Sequence, residues 1–182
     1  GKIEYSNSIF DIDFSLLLND SNVPIILKGS IPINKTEDLD LRFIGNGKFI
    51  ELIDIFAEDY FQFKKGDVNL RMIMKGNISQ PILNGFIVIK DAEVDLYSNI
   101  IRNINSVIIF DFDHIKVKNL EAFDENSGNI IISGSLPFND KNSLKINNFS
   151  LIAKKFNIKS NNLMFLVDSN IDVKGSFINP II

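Results

Sequence analysis

Apolar and polar residues alternate with a period of two along most of this chain. From Ile25 to Ile33 the odd positions hold Ile25, Leu27, Gly29, Ile31 and Ile33, with Lys28, Ser30 and Pro32 between them. Leu70, Met72, Met74, Gly76 and Ile78 alternate with Arg71, Ile73, Lys75, Asn77 and Ser79. Ile130, Ile132, Gly134, Leu136 and Phe138 follow the same rule, as do Ile171, Val173, Gly175 and Phe177. Period two sends alternate side chains to opposite faces of a sheet. Shorter runs at residues 10–18, 39–43, 94–96, 115–117, 144–146 and 163–167 fit the template, and Asn, Asp, Ser, Gly and Pro punctuate them. Strands at this density predict an all-β chain built of antiparallel meanders.

One segment departs from period two. In GKFIELIDIFAEDYF the apolar residues Phe49, Leu52, Ile53, Phe56 and Tyr60 fall three and four apart, with Gly45 and Gly47 before them and Gly66 after. That spacing predicts a short amphipathic helix over residues 48–58. Such a helix either plugs the local core or caps a groove.

Four of the alternating runs share a phrase: LKGSI, MKGNI, ISGSL and VKGSF, marked by Gly29, Gly76, Gly134 and Gly175. GSIPIN after Lys28 matches GSLPFN after Ser133, and KGNISQP at Lys75 matches KGSFINP at Lys174. Gly29 and Gly134 stand 105 residues apart, and Gly76 and Gly175 stand 99 apart. The expectation is one elongated module over 1–182, made of two copies of about a hundred residues, approximately 1–84 and 85–182. Each glycine is in phase with the inward apolar set. Glycine inside a strand costs roughly 0.5–1 kcal/mol, so it marks a bend, a bulge or a close approach. Pro81 and Pro180, which follow two of these glycines, end a strand or force a bulge. Together they predict a strongly curved sheet.

Composition narrows the function. The 182 residues are 45% hydrophobic and 23% charged, with a net charge of −4 and a pI near 5.0. A deficit of Lys and Arg argues against nucleic acid. Cysteine is absent, so no thiolate metal site, disulfide or Cys nucleophile is expected. No apolar run approaches the roughly 18 residues of a membrane span. With no signal peptide and no initiator Met, Gly1 reads as an internal cut from a longer chain. The 23 Asn and 32 Ile make the sequons at Asn34, Asn77 and Asn148 expected by chance.

Catalysis finds little support. His114, the one histidine, lies in FDFDHIKV beside Asp111 and Asp113, and three neighbouring strand residues do not converge on one centre. No serine sits in a G-x-S-x-G elbow, the GNG at residues 45–47 lacks a third glycine, and Glu58, Asp59, Asp91, Glu93 and Asp95 lack EF-hand spacing. The reading is no enzyme, no metal site and no cofactor.

The phrase apolar-x-Gly-[Ser/Asn]-x-x-x-Pro-x-x-x-Gly, carried by Gly76, Pro81 and Gly85, runs into FIVIKDAEVDL and later LEAFDENSGNIIISGSLPF at residues 120–138. This arrangement resembles the TamB-like family, periplasmic members of the AsmA-like, repeating β-groove proteins, over nearly the whole chain. The resemblance implies a β-taco whose concave face is an apolar trough for phospholipid acyl chains. It implies a periplasmic segment of an envelope-spanning protein anchored in the inner membrane, with an Omp85-family partner at the outer membrane. Similar proteins occur in cyanobacteria, and the Asn and Ile bias suits that source. The groove lining is then Ile25, Leu27, Ile31, Ile33, Leu70, Met72, Met74, Ile78, Val94, Leu96, Ile130, Ile132, Leu136, Phe138, Ile171, Val173 and Phe177. Gly29, Gly76, Pro81, Gly85, Gly134, Gly175 and Pro180 mark the repeat. Three alternatives stand beside the conduit. The inner set forms the dry core of a two-sheet sandwich, the chain is a scaffold for outer-membrane β-barrel assembly through its strand edges, or it is a purely structural repeat. The unprotected edges of an isolated piece are expected to self-associate.

Overall fold

The computed structural model describes residues 1–17, 24–34, 37–46, 61–138, 148–160, 163–176 and 180–181. Eleven strands form one antiparallel sheet in strict chain order: β1 (Lys2–Ser6), β2 (Ile9–Leu16), β3 (Ile25–Pro32), β4 (Asp38–Asn46), β5 (Phe61–Asn77), β6 (Ile82–Leu96), β7 (Asn99–Phe112), β8 (His114–Phe123), β9 (Asn129–Pro137), β10 (Phe149–Ser160) and β11 (Leu163–Gly175). The two-residue β12 (Pro180–Ile181) pairs with Lys174 and Gly175 of β11. Each strand pairs with its neighbours in sequence, and the sheet does not close. Among the described residues none is helical. The helix expected over 48–58, the run at 144–146 and Phe177 lie outside the described residues.

Directly paired residues of antiparallel strands share a face, so the register carries one set of side chains across the sheet. Ile12 pairs with Ile3 and Gly29, and Gly29 with Leu41. Leu41 pairs with Met74, Met74 with Leu83, and Leu83 with Phe112. On the far side Phe110 pairs with Ile115, Ile115 with Leu136, Ile132 with Leu151 and Leu151 with Ile171. One apolar face therefore runs from β1 to β11.

Five strands keep this face by switching parity once. β6 presents Leu83, Gly85, Ile87 and Ile89, then Ala92 and Val94. β5, β7, β8 and β10 make the same change between Phe63 and Val68, Ile101 and Ile104, Val117 and Leu120, and Ala153 and Phe156. Each switch is a β-bulge, in which one extra residue resets the alternation. Asp91, Asn103 and Lys155 take left-handed φ of 47°, 51° and 47° at these points. Side chains on the next strand serve the displaced backbone: Asn105 Oδ1 accepts the Asp91 N–H at 3.1 Å, and Asp168 Oδ1 accepts the Lys155 N–H at 3.0 Å.

Bulges explain where simple alternation misjudged the elements. The runs at 94–96 and 115–117 are pieces of β6 and β8. β7, with Ile100, Ile101, Ile104, Val107, Ile108 and Ile109, is apolar on both faces and gave no alternation. β1 was not anticipated either. Ile33, Ile78 and Phe138, expected on strands, stand just past the ends of β3, β5 and β9.

The repeat glycines fall into two conformations. Gly29 and Gly134 sit mid-strand at φ of +134° and +125°, and a Cβ there would lie 1.8 Å from Asp40 O and 2.0 Å from Asn148 O. Gly76 and Gly175, at strand ends, have φ of 84° and 79°. The prolines after the first pair also match. Pro32 and Pro137 are fully buried, and the next residue donates back to a preceding turn, Ile33 N to Ser8 O at 2.8 Å and Phe138 N to Asp113 O at 2.6 Å. Backbone conformation and the touching neighbour strand demand glycine at 29 and 134.

The turn between β8 and β9 is anchored by Asp124, a buried carboxylate. Its Oδ1 accepts N–H groups of Asn126 at 2.7 Å and Gly128 at 2.8 Å. Its Oδ2 accepts the backbone N–H and side-chain amide of Asn157 on β10, at 2.5 and 2.7 Å. Burial, the largest influence, pushes this carboxyl up, but the hydrogen bonds from Asn157, Gly128 and Asn126 together outweigh it and hold it below the ordinary Asp value.

Two outcomes test these features. Gly134→Ala must lose several-fold more stability than Gly76→Ala, which meets no atom nearer than 4.0 Å and costs about 1–2 kcal/mol for its left-handed φ; urea unfolding of both variants makes the comparison. Asp124→Ala lowers stability by roughly 1–3 kcal/mol at pH 7. Because the folded carboxyl titrates below the unfolded one, that contribution is complete above the ordinary value of about 3.9 and lost as pH falls through the lower folded value. The gap between wild type and variant in unfolding free energy therefore closes at acid pH, and a gap constant down to pH 2 would contradict the anchor.

Candidate functional site

The apolar face is the feature that sets this molecule apart. Across β2 to β6 it presents Phe10, Ile12, Phe14, Leu16, Leu27, Leu41, Phe43, Met72, Met74 and Ile87, interrupted by glycine at 29, 45, 76 and 85. Among the described residues no charged side chain shares the register of this set. The polar members that do are uncharged: Ser106, whose buried hydroxyl has no hydrogen-bond partner, Ser169, and at the hairpin ends Asn99 and Ser160.

Its middle packs tightly. Ile25, Phe63, Val68, Leu70, Ala92 and Val94 form a buried cluster, with Leu16, Phe43, Met72, Ile87, Ile101 and Ile104 against it. Ile26 pairs with Ile44, which brings Ile25 level with Gly45, and Gly45 pairs with Leu70. The missing side chain on β4 lets Ile25 reach Leu70. The flanks are open: Ile3 and Tyr5 on β1 are 68% and 59% exposed, and Leu163 and Phe165 on β11 are 63% and 49% exposed.

The reverse face carries the ions. Lys28 pairs with Asp13 at 2.9 Å, Lys75 with Asp40 at 2.9 Å and Lys65 with Glu93 at 3.2 Å. Lys2, Asp13, Lys28 and Asp40 surround a hollow of about 390 Å³ on that side. Ile73, Phe86, Ile109, Ile131 and Ile152 share this face, so it is mixed rather than polar throughout.

Where β8 and β9 stop at the Asp124 turn, the β6–β7 and β10–β11 hairpins continue past them and enclose a cleft of about 680 Å³. Leu96, Ile101, Ile130, Phe156 and Ile158 form its walls, with Tyr97, Ser98, Asn99, Lys159 and Ser160 around them. A two-way clasp joins the hairpins. Asn99 Nδ2 donates to Lys159 O at 3.0 Å, and Lys159 N donates to Asn99 Oδ1 at 2.6 Å, so a side chain replaces the missing strand. The Lys159 ammonium lies 2.5 Å from Glu125, which it holds below the ordinary Glu value.

The expected lining residues separate by position. Ile25, Leu70, Val94 and Leu136 are buried on the apolar face. Leu27, Ile31, Met72, Met74, Ile130, Ile132, Ile171 and Val173 lie on it half-buried. Ile33, Ile78 and Leu96 are exposed, and Phe138 follows the end of β9. The side chain of Pro180 and all of Phe177 are outside the described residues. Ile87, Ile108, Phe110, Phe156 and Ile158 belong to the same face and were missed; a parity switch between apolar pairs three apart, as at Ala153 and Phe156, was the available signal.

At the β7–β8 turn His114 Nδ1 and Asp113 Oδ1 are 2.6 Å apart, while Asp111 engages Lys116 instead. Among the described residues no group of three His, Asp or Glu is placed to hold a metal, and no helix is long and apolar enough to cross a membrane. Comparison with family models, with curated proteins and with solved structures finds no match to this chain.

Proposed function

We propose that the apolar face is a conduit for lipid acyl chains, in a periplasmic segment of a TamB-like, inner-membrane-anchored protein that works with an Omp85-family partner. The observation that carries this reading is the unbroken face itself. Eleven strands keep apolar side chains in register, through five bulges, and admit no charge among them. A dry core needs such a face only where a second layer covers it, and the described residues form one sheet. The bulges, which bend and twist strands, support the β-taco form of the proposal. Moving a 16-carbon chain through water would cost about 13 kcal/mol at roughly 0.8 per methylene, so a carrier surface must be apolar along its length and requires no headgroup pocket.

Ile132→Asp on the apolar face is expected to cut phospholipid transfer between vesicles by roughly tenfold or more, because an unpaired charge in the path is costly. Lys174→Asp, on the reverse face, leaves transfer unchanged. A photo-crosslinker at Met74 captures phospholipid and one at Lys75 does not. Equal capture at both positions, or normal transfer by folded Ile132→Asp protein, would sink the conduit.

A second reading, strand addition at the sheet edge, has one observation in its favour. Leu163, Met164, Phe165 and Leu166 of β11 are exposed on both faces, and among the described residues β12 pairs with Lys174 and Gly175 alone. A long apolar edge is a template for another strand. Sedimentation of the 182-residue chain should show association that rises with concentration and falls on Leu166→Lys; a wild-type monomer at high concentration would remove this reading.

A further inference from the structure

We propose that the cleft between the β6–β7 and β10–β11 hairpins holds one linear acyl chain as a discrete site, with its polar head left at the hairpin rim. The ligand class rests on the conduit reading, and the site adds a stopping place to it.

The cleft chooses its guest by what its walls offer. Leu96, Ile101, Ile130, Phe156 and Ile158 give it aliphatic and aromatic surface. Its nearby amide is already committed: Asn99 Nδ2 donates to Leu96 O, Tyr97 O and Lys159 O, and Asn99 Oδ1 accepts from Lys159 N. A polar guest would give up hydrogen bonds to water and find few replacements, whereas an alkyl chain gives up none. A volume of about 680 Å³ lies within the range of small-molecule sites. Ser98 and Ser160, at the hairpin tips, supply hydroxyls for the head.

The width of the cleft is held by side chains rather than by strand pairing. The Asn99–Lys159 clasp ties the hairpins together, and Asp124 ties the shorter turn between them to Asn157. The walls are thus in place before a ligand arrives, which limits the ordering cost of binding.

Calorimetric titration with saturated fatty acids of eight to sixteen carbons tests the site. Binding is expected at one molecule per chain, tightening about fourfold per methylene, the equivalent of about 0.8 kcal/mol, until the cleft is full. Ile158→Asp should weaken palmitate at least tenfold, and Ile158→Trp, which fills the space without charge, should do the same. Ile158 is 40% exposed, so both variants are expected to fold, with far-UV spectra as the check. Lys174→Asp, exposed on the reverse face, leaves palmitate binding unchanged. Phosphatidylcholine vesicles carrying a photoactivatable chain form the second arm, with capture at Ile158 showing that a phospholipid supplies the chain. Palmitate binding indifferent to both Ile158 variants overturns the site, even if Met74 captures lipid and the conduit stands. Binding that depends on Ile158 with no capture at Met74 removes the conduit and leaves the site.

Discussion

Everything in this fold depends on cross-strand register. In an antiparallel ladder a slip of one residue moves every side chain of a strand to the other face. Eleven strands in chain order give ten chances for that error, yet the apolar set is continuous from Ile3 to Val173. The bulges preserve this continuity. Without the extra residue near Asp91, Ala92 and Val94 would face the charged side and Glu93 would enter the apolar cluster. The adaptation is shared, because β5, β6, β7 and β8 are neighbours and an uncompensated residue in one would break pairing with the next. Asn105 and Asp168 then supply the hydrogen bonds that displaced backbone groups would otherwise lack.

A one-layer sheet of this length must also fix how its strands approach one another. Gly29 and Gly134 do so where the adjacent backbone leaves no room for a Cβ. Pro32 and Pro137 end their strands and direct the next N–H to a preceding turn. At the other end of the sheet, Asp124 and Asn99 perform the equivalent task with side chains. Burial of Asp124 is tolerable because its oxygens accept four hydrogen bonds, in contrast to the unpartnered hydroxyl of Ser106.

Much of the sheet was legible from alternation alone, because Ile25 to Ile31, Leu70 to Gly76, Ile130 to Leu136 and Ile171 to Val173 keep strict parity over one face. Legibility failed where parity changes or vanishes. β7 carries Ile, Val and Phe on both faces, so its period-two signal cancels, and β6 and β8 each look like fragments once a bulge divides them. The repeat glycines were visible by phrase, with a bend, a bulge or a close approach as their possible reasons. Gly29 and Gly134 show the close approach, to a neighbouring carbonyl and at positive φ, and the phrase alone could not choose among the three. The cleft was invisible because it arises from the mismatch between a short β8–β9 hairpin and its longer neighbours, and hairpin length is set by bulges and by Asp124.

On the proposed reading, two demands act on the same surface. Transport along the face favours uniform apolar contact, since any deep minimum holds the chain and any charge blocks it. The clasped hairpins make the surface non-uniform at one end, where they flank a half-open cleft of about 680 Å³. Such a minimum slows passage only if its exit costs more than a step along the open face. Ile101 and Ile130 belong both to the cleft lining and to the apolar face, so on this reading a chain can leave methylene by methylene, exchanging wall contact for face contact instead of water. The barrier is then the difference between two apolar environments, far below the cost of full exposure. A surface built this way holds a lipid chain at a defined place without stranding it there.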